Sequence, residues 1–251
     1  MSNILFLVEG EVTEEKYFSV IKNAFKKRIK SNIKFFYYKT NIYALYDEIK
    51  EDKYLNTIDL LKDIAKKRKD SSNLQVLDSI NFGEIYLFFD LDPQDDRFTI
   101  AKIEEMLTLF DNETEHGKLY INYPMVESFK HFKTLPDSNY NNYKIKIEDC
   151  PKYKHYVSSL SCINDYTKIS QDQCLMIIRQ NLIKVCLLIN DTIECDFDGY
   201  RDELTQKNIF QIQREEIDST GELYIINSLC LWPLDYFPRE VFENINEMNN
   251  I

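Results

Sequence analysis

The sequence predicts an α/β protein: a mostly parallel sheet with helices on its faces, followed by a mostly helical second half. Three observations carry this expectation. The first ~130 residues alternate between short apolar runs and stretches whose apolar residues recur at helical spacing. The segments between successive runs are long enough to cross over the sheet, which favours parallel neighbours. Beyond about residue 133 the character changes, and long polar stretches rich in Tyr, Asn and Lys separate helical segments.

Taken in order, residues 3–8 form a short apolar run that reads as a buried strand. Residues 13–29 place Tyr17, Phe18, Val20, Ile21 and Phe25 on one helical face, with Thr13 as N-cap and Lys26, Lys27 and Arg28 near the end. A second strand is expected at 33–38, then helical patterning across 42–69 with a break near Asp52. A third strand at 84–89 ends at Asp90, and a helix from about 97 to 111 follows. A fourth strand at 118–123 leads to a helix opening after Pro124.

In the second half, helices are expected near 171–190, 199–213 and 238–248, with no alternating strand pairs or repeats. The run Cys174 to Ile178 with Leu182, Ile183, Val185 and Cys186 has the wide apolar face of a core helix. A boundary near 133–150 divides the chain into an α/β domain, residues 1–133, and a mostly helical domain, residues 134–251. Six cysteines, Cys150, Cys162, Cys174, Cys186, Cys195 and Cys230, all lie after the boundary and include no C-x-x-C pair. Cys150 and His155 have no companion pair at zinc-ligand spacing, so buried free thiols are the expectation.

Composition narrows the function. Forty-two acidic against thirty-one basic residues leave a formal charge of −11. Nonspecific nucleic-acid affinity comes from Lys and Arg neutralising phosphates, so binding by bulk attraction is excluded. Five Gly and six Pro against seventeen Tyr and sixteen Phe argue for a compact chain with little linker. No apolar run approaches the roughly 20 residues that span a bilayer. The apolar start runs into Glu9-Gly10-Glu11 without a basic flank or a small-residue cleavage site, so a cytoplasmic protein is expected.

Three acidic clusters end three of the expected strands: Glu9 with Glu11, Glu14 and Glu15; Asp90, Asp92, Asp95 and Asp96; and Glu127. In an open parallel sheet, ligands sit beyond the carboxyl ends of the strands. On an extended strand end the side chains of Asp90 and Asp92 share a side, and two such charges repel unless a cation lies between them. Oxygen-only donors favour Mg²⁺ or Mn²⁺ over zinc. Glu9 ends another strand and could approach the same point, with Gly10 permitting a tight turn. Each cluster also has an ordinary reading: Asp95 or Asp96 as a helix cap, Glu14 and Glu15 as first-turn acids, Glu127 as the third residue of a new helix. That reading explains any one cluster and explains three at strand ends poorly.

The spacing E-G-x-x-T-E-x-x-Y-F from Glu9 to Phe18, with a downstream strand ending in D-x-D at Asp90 and Asp92, resembles the Toprim domain. More narrowly it is similar to RloB-like and abortive-infection proteins and to the Toprim half of OLD-type nucleases of bacterial phage defence. The segment P-x-V-E-x-F from Pro124 to Phe129 resembles the P-x-F-E-x-W segment of the RloB-like group. The match covers roughly the first half of the chain. It implies a Toprim fold, a Rossmann-like, mostly parallel four-stranded sheet flanked by helices. It implies Glu9 as metal ligand or general acid/base, Asp90 and Asp92 as metal-binding and catalytic, and Glu14 and Glu127 as further metal ligands. No match for an OLD-type catalytic lysine is found, and His131, one turn past Glu127, departs from the related pattern.

The leading expectation is a Mg²⁺- or Mn²⁺-dependent nuclease cleaving RNA, including tRNA, or DNA. By resemblance it is an anti-phage effector, a toxin held by a separate ATPase partner, and a homodimer is compatible with it. The alternative is a metal-binding module that acts mainly by docking to that ATPase. Substrate contact would fall to Lys26, Lys27, Arg28 and Lys30, to Lys66, Lys67, Arg68 and Lys69, or to Tyr140, Tyr143, Tyr153 and Tyr156 interleaved with Lys144, Lys146, Lys152 and Lys154. Solvated helix ends and core packing explain these sets as well. A primase-like or topoisomerase-like enzyme is disfavoured by the absence of a zinc ribbon and of a region of topoisomerase size. No P-loop, G-x-S-x-G or Cys/His pair supports ATP binding or nucleophilic hydrolysis.

Overall fold

The computed structural model describes residues 3–50, 56–191, 203–236 and 239. Apolar runs with strong β-propensity become strands β1 (Asn3–Val8), β2 (Asn32–Tyr37), β3 (Glu84–Asp90) and β5 (Gly117–Asn122), with a two-residue β4 (Asp111–Asn112). The sheet order is β2-β1-β3-β5-β4. All neighbours are parallel except β4, which runs antiparallel to β5 and adds a fifth, edge strand to the expected four. The chain goes from β1 outward to β2, then returns past β1 to β3. The strand order therefore reverses between β1 and β3, the position where such sheets open a crevice.

By the right-handed rule for parallel crossovers, this strand order assigns α1 (Thr13–Ala24) to one face. It assigns α2 (Ile42–Ile49), α3 (Thr57–Lys67), α4 (Ser71–Ser79) and α5 (Ile100–Leu109) to the other. Helix α1 begins at Thr13, with Val12 as its cap position and no side-chain cap, so the expected capping role of Thr13 is not realised. The expected 42–69 helix is α2 and α3, each opened by an asparagine side chain, Asn41 and Asn56. Helix α4 was not expected: it buries only Asn73 and Leu77, too weak an apolar period to register. Helix α5 is capped by Thr99 and not by Asp95 or Asp96. After Pro124 the chain makes a short 3₁₀ turn, Val126–Lys130, where a longer helix was expected.

The second half is mostly helical: α6 (Tyr153–Leu160), α7 (Gln171–Asn190), α8 (Gln206–Thr220) and α9 (Trp232–Tyr236). It also contains an antiparallel pair, β6 (Lys144–Lys146) with β7 (Glu222–Tyr224), too short to show alternation in sequence. The helix expected near 238–248 lies, apart from residue 239, outside the described residues. Helix α7 is the expected core helix, opened by a capping box between Ser170 and Gln173. Cys150, Cys174 and Cys230 are buried free thiols, as expected, and Cys162 is free but exposed. Cys186 is disulfide-bonded, a departure from the free-thiol expectation, and Cys195 lies outside the described residues.

Both halves share one continuous hydrophobic cluster, from Ile4 to Leu234. Trp232 of α9 sits against the sheet, its ring 5.1 Å from Phe6 and 5.4 Å from Phe18, both edge-on. Such pairs add roughly 0.5–1.5 kcal/mol each beyond the area they bury. A second tie runs through residues 225–228. Tyr123 and Ile226 exchange backbone hydrogen bonds of 2.9 and 3.1 Å, and Asn227 Nδ2 donates to the Val126 carbonyl at 3.1 Å. Among the described residues no helix is long and apolar enough to cross a membrane.

Gly117 opens β5 at φ +110°, and a Cβ there would stand 2.5 Å from Leu87 Cδ1 and 3.1 Å from Ile85 Cγ2. Gly117→Ala should therefore destabilise the fold by about 1–3 kcal/mol. Gly83→Ala, whose Cβ would meet nothing within 4 Å, should be close to neutral. Urea unfolding of the two variants side by side checks this, and equal midpoints would contradict it.

Candidate functional site

The carboxyl ends of β1, β3 and β5 stand side by side, and the acids lie just past them. Glu9 follows β1, and its Oε2 accepts the Asp90 N–H at 3.3 Å. Asp90 ends β3 paired in register with Asn122 at the end of β5. Asp90 Oδ1 accepts the Val126 N–H at 2.8 Å and Asn122 Nδ2 at 3.3 Å. Asp92 lies beyond the strand with φ +43°, so strand alternation does not place it, contrary to the expectation for D-x-D. A turn places it instead: Asp95 N–H donates to the Asp92 carbonyl at 3.0 Å.

Glu14 sits in the first turn of α1, buried to 5% exposure. Its Oε1 turns back to accept the Gly10 N–H at 2.9 Å. A Cβ on Gly10 would press on Glu14 Oε2 at 3.0 Å, which is why glycine suits that position. Glu127, also 5% exposed, stands in the 3₁₀ turn after β5 and pairs with Lys154 Nζ of α6 at 2.9 Å.

Electrostatics ties these groups together. Burial raises the Asp90 carboxyl well above its usual range, and the charges of Glu9, Asp92, Glu14 and Glu127 raise it further. Glu9 is pushed up to about 8, mainly by burial, then by Asp92, Glu14 and Glu127, against the Asp90 N–H. Burial raises Glu14, with Glu127 adding to it. Asp92 is raised by burial, Asp95 and Glu127. The charges of Glu9, Asp92, Glu14 and Glu127 all reach Asp90, and the five acids form one acidic edge around it. Among the described residues, however, no three His, Cys, Asp or Glu side chains form a ready-made metal site.

Neighbouring acids belong elsewhere. Glu11 pairs with Lys39 at 2.7 Å, and Glu15 accepts the Tyr37 hydroxyl at 2.6 Å. Arg97 clamps Asp95 through its backbone N–H, Nε and Nη2 at 2.8–2.9 Å, holding that carboxyl well below its usual range. His131 is a core residue: Nδ1 lies 2.8 Å from the Tyr153 hydroxyl, and burial, with Lys184 and Lys133, lowers its pKa to about 4. A groove of about 510 Å³ between α2 and α5, lined by Tyr46, Ile49, Glu105 and Met106 among others, contains none of the five acids.

One site residue was not foreseen, and a second was foreseen in another role. Asn122 ends a strand in register with Asp90, so the strand-end rule that selected Glu9 and Asp90 would also have selected it. Lys154 was singled out in sequence only as a candidate substrate contact among the interleaved tyrosines and lysines. Its pairing with Glu127 follows from the packing of α6 on the 3₁₀ turn, which no sequence signal shows. Comparison with protein-family models, with curated proteins and with solved structures found no match to this chain.

The Glu9 shift has a pH signature. Its folded pKa of about 8 exceeds the ordinary 4.5, so the folded state holds the proton more tightly than the unfolded chain. That contribution to stability is fully present below 4.5 and is lost as pH rises through about 8. In chelator, Glu9→Gln should raise Tm at pH 8 by roughly 3 °C or more and leave it nearly unchanged at about pH 4. The difference between the two proteins removes the opposite effect of His131, which favours folding above 6.5 and is lost as pH falls through about 4. Parallel melting curves at both pH values would contradict the assignment.

Proposed function

We propose that the chain is a Mg²⁺- or Mn²⁺-dependent nuclease of the Toprim type, acting in the cytoplasm on nucleic-acid phosphodiesters. The single observation that carries this is the gathering of Glu9, Asp90 and Asp92, with Glu14 and Glu127 nearby, just past the strand ends at the order reversal between β1 and β3. The Toprim assignment, the anti-phage effector role and the separate ATPase partner rest on the resemblance of the Glu9–Phe18, Asp90–Asp92 and Pro124–Phe129 segments.

The donor chemistry fits a hard divalent ion. All five groups offer oxygen only. Among the described residues, Glu9 Oε1, Asp90 Oδ2 and Asp92 Oδ2 accept no hydrogen bond, whereas the other oxygen of each is held. Closing the three around one ion requires side-chain rotation, since they do not converge on a common centre. A bound Mg²⁺ or Mn²⁺ supplies Lewis acidity toward a phosphodiester and makes nearby water more acidic.

The chain's own residues do the rest. Asp90 is fixed by Val126 and Asn122, so its free oxygen has a defined direction. Glu9, with a pKa near 8, holds a proton at neutral pH in the absence of a cation and suits a general acid or base. Glu14 and Glu127 add carboxylates on the α1 side of the edge. Lys154 neutralises Glu127 and places a positive charge where an anionic substrate enters.

Incubation with tRNA, single-stranded DNA and plasmid in Mg²⁺ or Mn²⁺ tests the proposal. Cleavage should vanish in chelator, return with the ion, and fall by about 10²-fold or more in Asp90→Asn. Full cleavage by metal-free protein would refute the mechanism. Equal, negligible turnover in wild type and Glu9→Ala would point instead to a docking module.

A further inference from the structure

Of the tyrosines interleaved with lysines in the second half, Tyr140 and Tyr153 are fully buried and Tyr143 is half-buried. Tyr156 is different: it is 50% exposed, one of two exposed large hydrophobic residues among those described. The other is Val12, 52% exposed, in the loop between Glu9 and Glu14. A lone exposed tyrosine is ordinary on a protein surface. What distinguishes Tyr156 is its surroundings.

Helix α6 places Tyr156 among exposed Lys152, Lys154 and His155, with no acid in the helix, on a chain of net charge −11. The nearest preceding acids, Glu148 and Asp149, lie on the turn before the helix, and Glu148 faces Lys146 at 3.9 Å. Helix α6 is seated on the 3₁₀ turn of the acidic edge. Lys154 meets Glu127 there, and Lys130 Nζ donates to Ser158 Oγ at 3.0 Å. The Tyr156 ring meets that turn's exit edge-on, 5.7 Å from the His131 ring, and its hydroxyl has no partner among the described residues. The ring is thus steadied at one edge and open to solvent, beside cations that lead toward the acids.

From this placement we propose that α6 is the strand-binding surface of the molecule, with Tyr156 stacking on an unpaired base and Lys152 and Lys154 contacting its phosphates. The inference rests on the nuclease reading and adds the substrate class: a single-stranded or looped nucleic acid. Stacking on one tyrosine needs a base face that a duplex keeps covered. Two or three cations also suit a short unpaired stretch better than duplex DNA held by many phosphate contacts.

The test is binding, separated from turnover. Fluorescence anisotropy of a labelled single-stranded oligonucleotide and of its duplex is measured with the Glu9→Gln protein in Mg²⁺. The single strand should bind more tightly. Tyr156→Ala should weaken its binding roughly 5- to 100-fold, and Tyr156→Trp should hold it within about threefold. Lys152→Ala should lower the salt slope by about one. Unchanged affinity in a folded Tyr156→Ala protein, preference for the duplex, or no single-strand binding would each overturn the inference. Equal competition by polyglutamate would also overturn it, in favour of an acidic protein partner. Cleavage by wild type with a silent Tyr156 refutes this inference alone. The expected binding pattern with no cleavage by wild type refutes the nuclease reading alone.

Discussion

Five carboxyl groups gathered at one edge of the sheet repel one another, and burial deprives them of the water that would screen the repulsion. The fold does not relieve this by pairing each acid with a base. Lys154 serves Glu127, while Asp90 is held by two hydrogen-bond donors and Glu9 by one. What remains must be met by bound protons or by a cation from solution. The raised pKa values of Glu9 and Asp90 express the first response. A divalent ion is the second, and it competes directly with those protons. A purely structural edge would gain stability from neutral residues in these positions. The cost of keeping acids there is therefore the strongest physical argument that the edge has a chemical task.

The edge is held in place by parts of the chain far away in sequence. The Asn122 side chain donates to Asp90 and accepts the Ser228 N–H at 3.2 Å, so the second half of the molecule fixes a residue that orients the site. Asn227 binds both the Val126 carbonyl and Ser128 Oγ, anchoring the turn that carries Glu127. Beneath it, Asn181 of α7 accepts the Asn227 N–H at 2.8 Å. Lys184, fully buried, donates to the Tyr140 and Tyr143 carbonyls at 3.0 and 2.7 Å. An unpaired buried ammonium would be costly, and burial lowers the pKa of this one well below its usual value. These polar anchors make the helical half a support for the acidic edge.

Much of this architecture was legible in sequence because its signals are local. Buried parallel strands read as continuous apolar runs, and β1, β3 and β5 were found within about a residue on that basis, while β2, a half-buried edge strand, was found as closely from its Phe35–Tyr38 run. The acids were legible because strand ends in such sheets are privileged positions. Features set by tertiary packing were less legible. Asp92 reaches the site through a turn at positive φ, although the strand-alternation argument for it was wrong. The chain after Pro124 carries helix-like residues yet stops after one short turn, because Tyr123, Val126 and Ser128 are engaged by residues 226–227. Lys154 and α6 arrive at the edge from an unrelated part of the chain, and no spacing rule encodes that arrival.

Where the positive charge sits then decides how an anionic ligand can approach. Lys26, Lys27, Arg28 and Lys30 lie between α1 and the start of β2, where Asn32 pairs with Asn3, so they stand at the sheet's amino edge, far from the acids. The run Lys66 to Lys69 does lie near the carboxyl edge, but its charges are partly engaged. Lys66 pairs with Asp63 and Lys67 faces Glu48, while Arg68 donates to the Tyr38 carbonyl over that residue's ring. Helix α6 is the remaining basic element in direct contact with the acidic cluster, and the Lys154 side chain is 65% exposed while it touches Glu127. The cation of this pair is exposed but its acid is buried, so drawing Lys154 away would leave an unpaired buried carboxylate, a cost that a bound cation would offset. On the proposed reading, a phosphate arriving at this edge would compete with Glu127 for Lys154. On that reading too, the carboxylate that Lys154 leaves would become available to the bound cation.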